Sequence, residues 1–295
     1  MNSTNVSVYI LAFNESIHIE RAILSALKIT PDVYVIDSSS SDDTVSKAKA
    51  LGAKVFQYDW TSKSNFARKL NWTLSNVPFN TTWVIRLDAD EYFLDKTILE
   101  LTERLSLVPS HIDAVSLNRR FIFLGKWIKR GFYPQLTLRI TRNGCVKYDD
   151  TWLDEHVNVP KNKIYHLPLD IVDESLIGIN KWTEKHLHYS NLQVIEEVKN
   201  SIITDNPGHF GKKKMFRYRL YNMLPIFLRP FIYFFYRYFI RLGFMDGSKG
   251  FIWAFLQAWW YRMLIDIKLL EINLACGSDI DKQKDYVKKF YNVDL

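Results

Sequence analysis

The chain has 295 residues, of which 47% are hydrophobic and 15% aromatic, enough to build a substantial core and to exclude a disordered chain. Its net charge of +7 is concentrated in one place: residues 206–245 hold eight basic side chains and no acid, while the other 31 basic residues nearly balance 32 acids. A nucleic-acid binder would spread basic residues over its folded domain, so that class is excluded.

Cys145 and Cys276 form no CxxC pair, which argues against a disulfide framework or thiolate metal site and suits a reducing compartment. The N-terminus has no basic region followed by a long apolar run, so no signal peptide is expected.

In chain order, Ser7–Phe13 is a compact apolar run of strand length, followed by Asn14-Glu15. Apolar residues from Ile17 to Leu27 fit one helical face; Pro31 ends it, and Val33–Ile36 is a second strand leading into Asp37. The run Ser38 to Thr44 reads as a turn and helix start, because hydroxyls and carboxylates cap free backbone N–H groups. That helix stops at Gly52, Ala53–Tyr58 is a third strand, Ser64–Leu74 is helical, and Val84–Leu87 is a fourth strand running into Asp88-Ala89-Asp90-Glu91.

The alternation β-α-β-α-β-α-β predicts a mostly parallel sheet flanked by helices, an α/β fold whose ligands collect beyond the carboxyl ends of the strands. Asn14, Asp37, Asp88 and Asp90 all fall there. Residues i and i+2 of an extended segment point the same way, so Asp88 and Asp90 can present both carboxylates to one point. Two hard oxygen ligands with open positions suit Mg²⁺ or Mn²⁺ on a diphosphate. Farther on, Ile112–Phe123 alternates as a strand, and Tyr133–Ile140 with Cys145–Tyr148 reads as a hairpin about Asn143-Gly144. A second acidic cluster follows in Trp152-Leu153-Asp154-Glu155-His156.

The ordered trio SVYILAFNE, VYVIDSSSSDDT and WVIRLDADE resembles the nucleotide-sugar domain of inverting family 2 glycosyltransferases, of GT-A (Rossmann-like) fold. NFARKLNWTL and YDDTWLDEHV are similar to segments of bacterial enzymes that extend lipopolysaccharide core, O-antigen or capsular glycans. The resemblance implies Asn14 and Glu15 in the floor of the nucleotide pocket, Asp37 on base or ribose, Arg68 and Asn71, beside Lys69, on a helix facing the donor, Asp88 on ribose or metal, and Asp90 as main metal ligand. It implies a general base at Glu155 or Asp154, with Trp152 and His156 near the acceptor; His166, His186 and His188 are candidates for a further metal ligand. Ser39 stands where the family often has glycine.

The expected organisation is a nucleotide-sugar half at 1–125, an acceptor half of the same domain at 126–206, and an aromatic, basic helical region at 207–295. Its uncharged runs fall short of the ~20 residues a membrane span needs, while Arg229, Arg237 and Arg241 recur among aromatics, as in a helix lying at an anionic inner-leaflet surface. The expected activity moves a sugar from a nucleotide-sugar donor, UDP-linked, to a membrane-linked glycan on the cytoplasmic face of the inner membrane. A sugar-phosphate nucleotidyltransferase would want a glycine-rich loop that 11–16 lacks; a non-catalytic glycan-binding protein would not need the acids.

Overall fold

A computed structural model of the chain describes residues 5–61, 64–150, 157–203, 225 and 227–293. It divides into two units, Met1–Lys129 with Tyr133–Gly178, and Arg130–Phe132 with Ile179–Leu295.

The first unit opens with β1 (Val6–Ala12), α1 (Ile19–Leu27), β2 (Val33–Asp37), α2 (Thr44–Ala50), β3 (Lys54–Gln57), α3 (Phe66–Asn76) and β4 (Trp83–Asp88). β1 and β2 are buried at every position, as near-continuous apolar strands covered on both faces must be. α1 buries Ile19, Ala22, Ile23 and Ala26, one stripe at helical spacing, and these join Val8, Ile10 and Val35 in a core on one face of the sheet. The alternate residues Tyr9, Leu11, Tyr34 and Ile36 pack with Leu70 of α3 on the other face. The parallel order β3-β2-β1-β4 follows from these crossovers.

Beyond β4 the unit continues with β5 (Glu91–Phe93), α4 (Asp95–Ser106), β6 (Ala114–Phe123), β7 (Lys126–Trp127), β8 (Gln135–Arg142) and β9 (Ile164–Glu174), extending the sheet as β4-β8-β6-β9-β5 with β7 on β6. Here the ladders are antiparallel except β6 with β9, so the whole sheet is mixed. Because β8 runs against both β4 and β6, strands β1, β2, β4, β6 and β9 all end at the same edge.

The hairpin expected about Asn143-Gly144 is corrected. The turn exists, with the Cys145 N–H bonded to the Arg142 carbonyl (3.1 Å), but β8 is already paired on both sides and offers 145–148 no free edge. Tyr148 makes only an isolated bridge to Val157. β9 contains Pro168; its pairing with β6 shifts register between Ser116↔His166 and Asn118↔Asp170, so the proline sits where no ladder N–H is required.

The second unit is helical: α5 (Gly178–Ile203), Leu228–Phe235 continuing as one π-helical turn to Ile240, Gly247–Ala254 running through a second π segment into Tyr261–Cys276, and Ile280–Tyr291. No described helix is long and apolar enough to cross a membrane. Two of the three arginines expected at a lipid surface are used internally. Arg229 is buried in an ion pair with Asp266, its Nε 2.9 Å from Oδ2. Arg237 donates to the Gly131 carbonyl (2.6 Å) and the Tyr233 hydroxyl, and covers the ring of Phe132. The counter-charge of Arg229 comes from a helix 37 residues later, which local composition does not reveal.

Candidate active site

The register of the parallel strands sets the site. Ala12 pairs with Asp37 and Leu11 with Asp88, so the two acids flank the end of β1, two strand spacings or roughly 10 Å apart. Asp37 is fully buried, its carboxylate accepting from the Ser40 N–H (2.9 Å) and hydroxyl (2.5 Å). The loop after β1 is sewn to the serine-rich loop after β2: the Asn14 N–H donates to Ser40 Oγ (2.8 Å), Asn14 Oδ1 accepts from the Ser41 N–H (2.8 Å), and the Glu15 N–H donates to Thr44 Oγ1 (2.8 Å). Asp42 accepts from the Thr44 hydroxyl and from the N–H groups of Thr44 and Ser16; burial raises its pKa, but these bonds outweigh it and hold the carboxyl down to about 2.

Asn14 and Ser39 both adopt left-handed backbone, φ +53° and +64°. Glycine takes that conformation without strain, whereas an L side chain costs roughly 1 kcal/mol. Ser39→Gly is therefore expected to raise stability by about 1 kcal/mol, read as a higher urea midpoint; a lower one would show that the serine side chain contributes more than the strain.

Lys69, on the buried side of α3, reaches beneath these loops. Its Nζ donates to Ser38 Oγ (2.7 Å) and the Ala12 carbonyl (3.3 Å). Burial lowers its pKa from 10.5 to about 8, against the pull of Asp37 and Asp88. Between those pH values the folded chain holds fewer protons at this site than the unfolded chain, so Lys69 makes stability rise with pH, by at most ~1.4 kcal/mol per pH unit. Urea midpoints of wild type and Lys69→Met at pH 8 and pH 10 check this. The wild type should gain on the variant at the higher pH, and equal differences at both would refute the assignment.

The acidic turn between β4 and β5 rests on charges the expected site did not include. Glu91 is fully buried; its Oε2 accepts from the Asp88 N–H (3.1 Å) and its Oε1 from Arg139 Nη2 of β8 (2.7 Å). The same guanidinium group donates to Asp88 Oδ2 (2.7 Å), and Arg86 lies 3.6 Å from that oxygen. Burial raises the Glu91 pKa, with Arg139 opposing. Asp173, which pairs with Glu91 across β5 and β9, is raised to about 8, first by burial and next by the charge of Asp90. Asp90 thus stands where carboxylates crowd.

That crowding tests the fit of a divalent ion. Among the described residues no group of three or more His, Cys, Asp or Glu side chains is gathered to hold a metal. Mg²⁺ needs only one or two carboxylates when substrate phosphates and waters complete its shell, and Asp90 with Asp88 supplies hard oxygens in a negative field. The donor set fits.

Other expected residues fall elsewhere. The amide of Asn71 is spent on the backbone of Tyr148, donating to its carbonyl (2.8 Å) and accepting from its N–H (2.9 Å); Arg68 and Asn65 hold Asp150. α3 therefore anchors the start of the segment that carries the second acidic cluster. Trp152, Asp154, Glu155 and His156 lie outside the described residues. His166 pairs with Ser116 and Glu174 with Ile122, six residues or roughly 20 Å apart by strand rise, which removes His166 as a ligand beside Asp90. His186 belongs to the second unit, stacked on Trp182 (3.6 Å between centroids) with its pKa lowered by burial to about 4; His188 is in the same helix.

Sequence reading missed Arg139, Glu91, Asp173 and His18. For Arg86 and Arg139 the available sign was a charge inside an otherwise apolar strand, which must find a buried partner. Asp173 stands one residue before the end of β9, whereas Asp37 and Asp88 close their strands. His18 gave no such sign: it is buried, and its Nε2 accepts from the Leu176 N–H (2.7 Å), which fixes the tautomer whose Nδ1–H donates to Glu15 (2.5 Å).

An α/β unit whose acids end β2 and β4, on either side of β1, has the strand-end arrangement at which α/β enzymes collect their ligands. The model of glycosyl transferase family 2 matches residues 7–167, more than half of the chain, and the protein belongs to that family, with a mixed α/β fold of GT-A type. It is 29% identical over 308 aligned positions to an uncharacterized glycosyltransferase of Rickettsia prowazekii, covering 98% of this chain and 95% of that one. A similar protein of Rickettsia typhi is 28% identical, with 93% and 90% covered. Among solved structures, glucosyl-3-phosphoglycerate synthase from Mycobacterium tuberculosis, in complex with Mn²⁺, uridine diphosphate and glucosyl-3-phosphoglycerate, aligns at 26% identity and TM-score 0.34. That alignment covers 39% of this chain and 44% of the synthase.

Proposed function

We propose that this glycosyltransferase is an inverting, metal-dependent hexosyltransferase that takes a sugar from a nucleotide-sugar donor, UDP-linked in the first instance, and adds it to a membrane-linked cell-surface glycan of the lipopolysaccharide, O-antigen or capsule type. The observation that supports it is the convergence of Asp37, Asp88, Asp90 and Lys69 at the carboxyl ends of neighbouring strands. Asn14, Glu15 and Asp37 form the floor for the nucleoside. Asp90, with Asp88, holds Mn²⁺ or Mg²⁺, whose chemistry there is to neutralise charge on the departing diphosphate.

The acceptor hydroxyl loses its proton to the carboxylate of Glu155 or Asp154, and its oxygen bonds to the anomeric carbon from the face opposite the diphosphate. The carbon–oxygen bond to the diphosphate breaks, and its electron pair stays on the phosphate oxygen. Trp152 and His156 border the acceptor.

The 207–295 region acts as a membrane-associating module at the cytoplasmic face of the inner membrane. Phe231, Phe235, Phe239 and Ile240 on one helix, with Phe251 and Phe255 on the next, expose apolar surface that water does not favour, and interfacial helices use such rings.

The test is nucleotide release by the purified chain from UDP-, GDP-, dTDP- and CDP-sugars with Mn²⁺ or EDTA, after a thermal-shift screen of the same donors. Metal-stimulated release from one donor is expected; no binding or release with any of the four would reject the reading. Flotation of the whole chain with vesicles containing anionic lipid tests the membrane role. An unchanged result for Phe235→Ser/Phe239→Ser would reject that surface.

A further inference from the structure

We propose that Arg21, Glu174 and Tyr92 form a positioning latch that fixes the backbone of Asp90 and thereby aims its carboxylate at the metal–diphosphate group. The proposal rests on the metal-dependent reading above and assigns a role to residues which that reading leaves idle. Arg21 projects from α1. Its Nη1 donates to Glu174 Oε2 (2.6 Å), and its Nη2 donates to the Glu174 carbonyl (2.6 Å) and the Asp90 carbonyl (3.4 Å). The guanidinium plane lies 4.4 Å over the ring of Tyr92, whose hydroxyl donates to the same Glu174 oxygen (3.1 Å). The Glu174 N–H donates to the Asp90 carbonyl (3.0 Å).

Asp90 is thus gripped from behind, while its turn is held from the front by Glu91 on the Asp88 N–H. The carbonyl of Asp90 accepts two donors, both belonging to the latch. A planar fork reaching three acceptors is a task for arginine, since lysine offers a single point charge. The Arg21 and Glu174 side chains are about a quarter and a fifth exposed, so water only partly screens the pair.

The experiment measures Mn²⁺ affinity of the full-length protein by calorimetry, in the presence of whichever of UDP, GDP, dTDP or CDP binds tightest, beside nucleotide affinity in EDTA and melting temperature. Arg21→Ala and Glu174→Gln are expected to weaken Mn²⁺ binding by about tenfold, as loss of partners behind a metal ligand does, with Tyr92→Phe two- to threefold weaker and Arg21→Lys a partial rescue. Nucleotide affinity in EDTA should stay within about twofold.

Variants with a lower melting temperature but Mn²⁺ affinity within twofold of wild type would overturn the latch and leave the transferase reading intact. If Arg21→Ala or Glu174→Gln fails to fold, Tyr92→Phe and Arg21→Lys decide on the same criterion. A wild-type chain that binds Mn²⁺ with none of the four nucleotides would overturn the metal-dependent mechanism, and the latch with it.

Discussion

Asp90→Asn is expected to lower nucleotide-sugar turnover on the order of 10³-fold while leaving nucleotide affinity in EDTA and the melting temperature close to wild type. Asparagine keeps the shape and one oxygen but removes the charge that a divalent ion requires of a hard ligand. Each 1.36 kcal/mol of lost transition-state stabilisation is tenfold in rate, so the expected loss corresponds to ~4 kcal/mol. Stability should not suffer, because the substitution relieves the crowding that pushes Asp173 up to about 8. Asp95→Asn serves as the control: this carboxylate is 81% exposed in a surface pair with Lys28, and its loss should leave turnover unchanged. Steady-state kinetics over a Mn²⁺ titration reads the outcome. Turnover by Asp90→Asn within fivefold of wild type would remove Asp90 from the mechanism.

The largest stability effect belongs to Glu91. Truncation to alanine takes a carboxylate from the buried Arg139, takes the acceptor from the Asp88 N–H, and removes the carboxylate 3.4 Å from Arg119. Breaking a buried pair by removing one member costs about 3–5 kcal/mol, because the surviving charge stays desolvated. The urea midpoint should fall accordingly. Glu91→Leu/Arg139→Met should be less destabilised than Glu91→Ala, since removing both charges leaves less uncompensated. If the double variant were the less stable of the two, the pair would be contributing net attraction rather than merely avoiding a penalty. Because Glu91 also fixes the Asp88 N–H, activity per folded molecule should drop in Glu91→Ala.

The parallel half of the sheet was legible because its strands are buried on both faces and are separated by helices with one apolar stripe. Those two periods differ enough to be distinguished in a single chain. The other half was harder. β8 carries a buried arginine and β9 a proline, and each is tolerated only because of what lies across the ladder: Glu91 for the first, a register shift for the second. The internal partners of Arg229 and Arg237 were hidden for the same reason, since Asp266 and the Gly131 carbonyl lie far off in sequence.

By itself the sequence determined the βα alternation, and with it the rule that acids following strands 2 and 4 gather at one edge. Local periodicity and chain connectivity suffice for that. Tertiary structure alone decided which charges neutralise one another, that Asn71 is spent on Tyr148, and that Asp90 is held from behind by Arg21 and Glu174. Partners from distant segments meet only when the sheet sets their register, and a desolvated charge accepts whichever opposite group that register brings within reach.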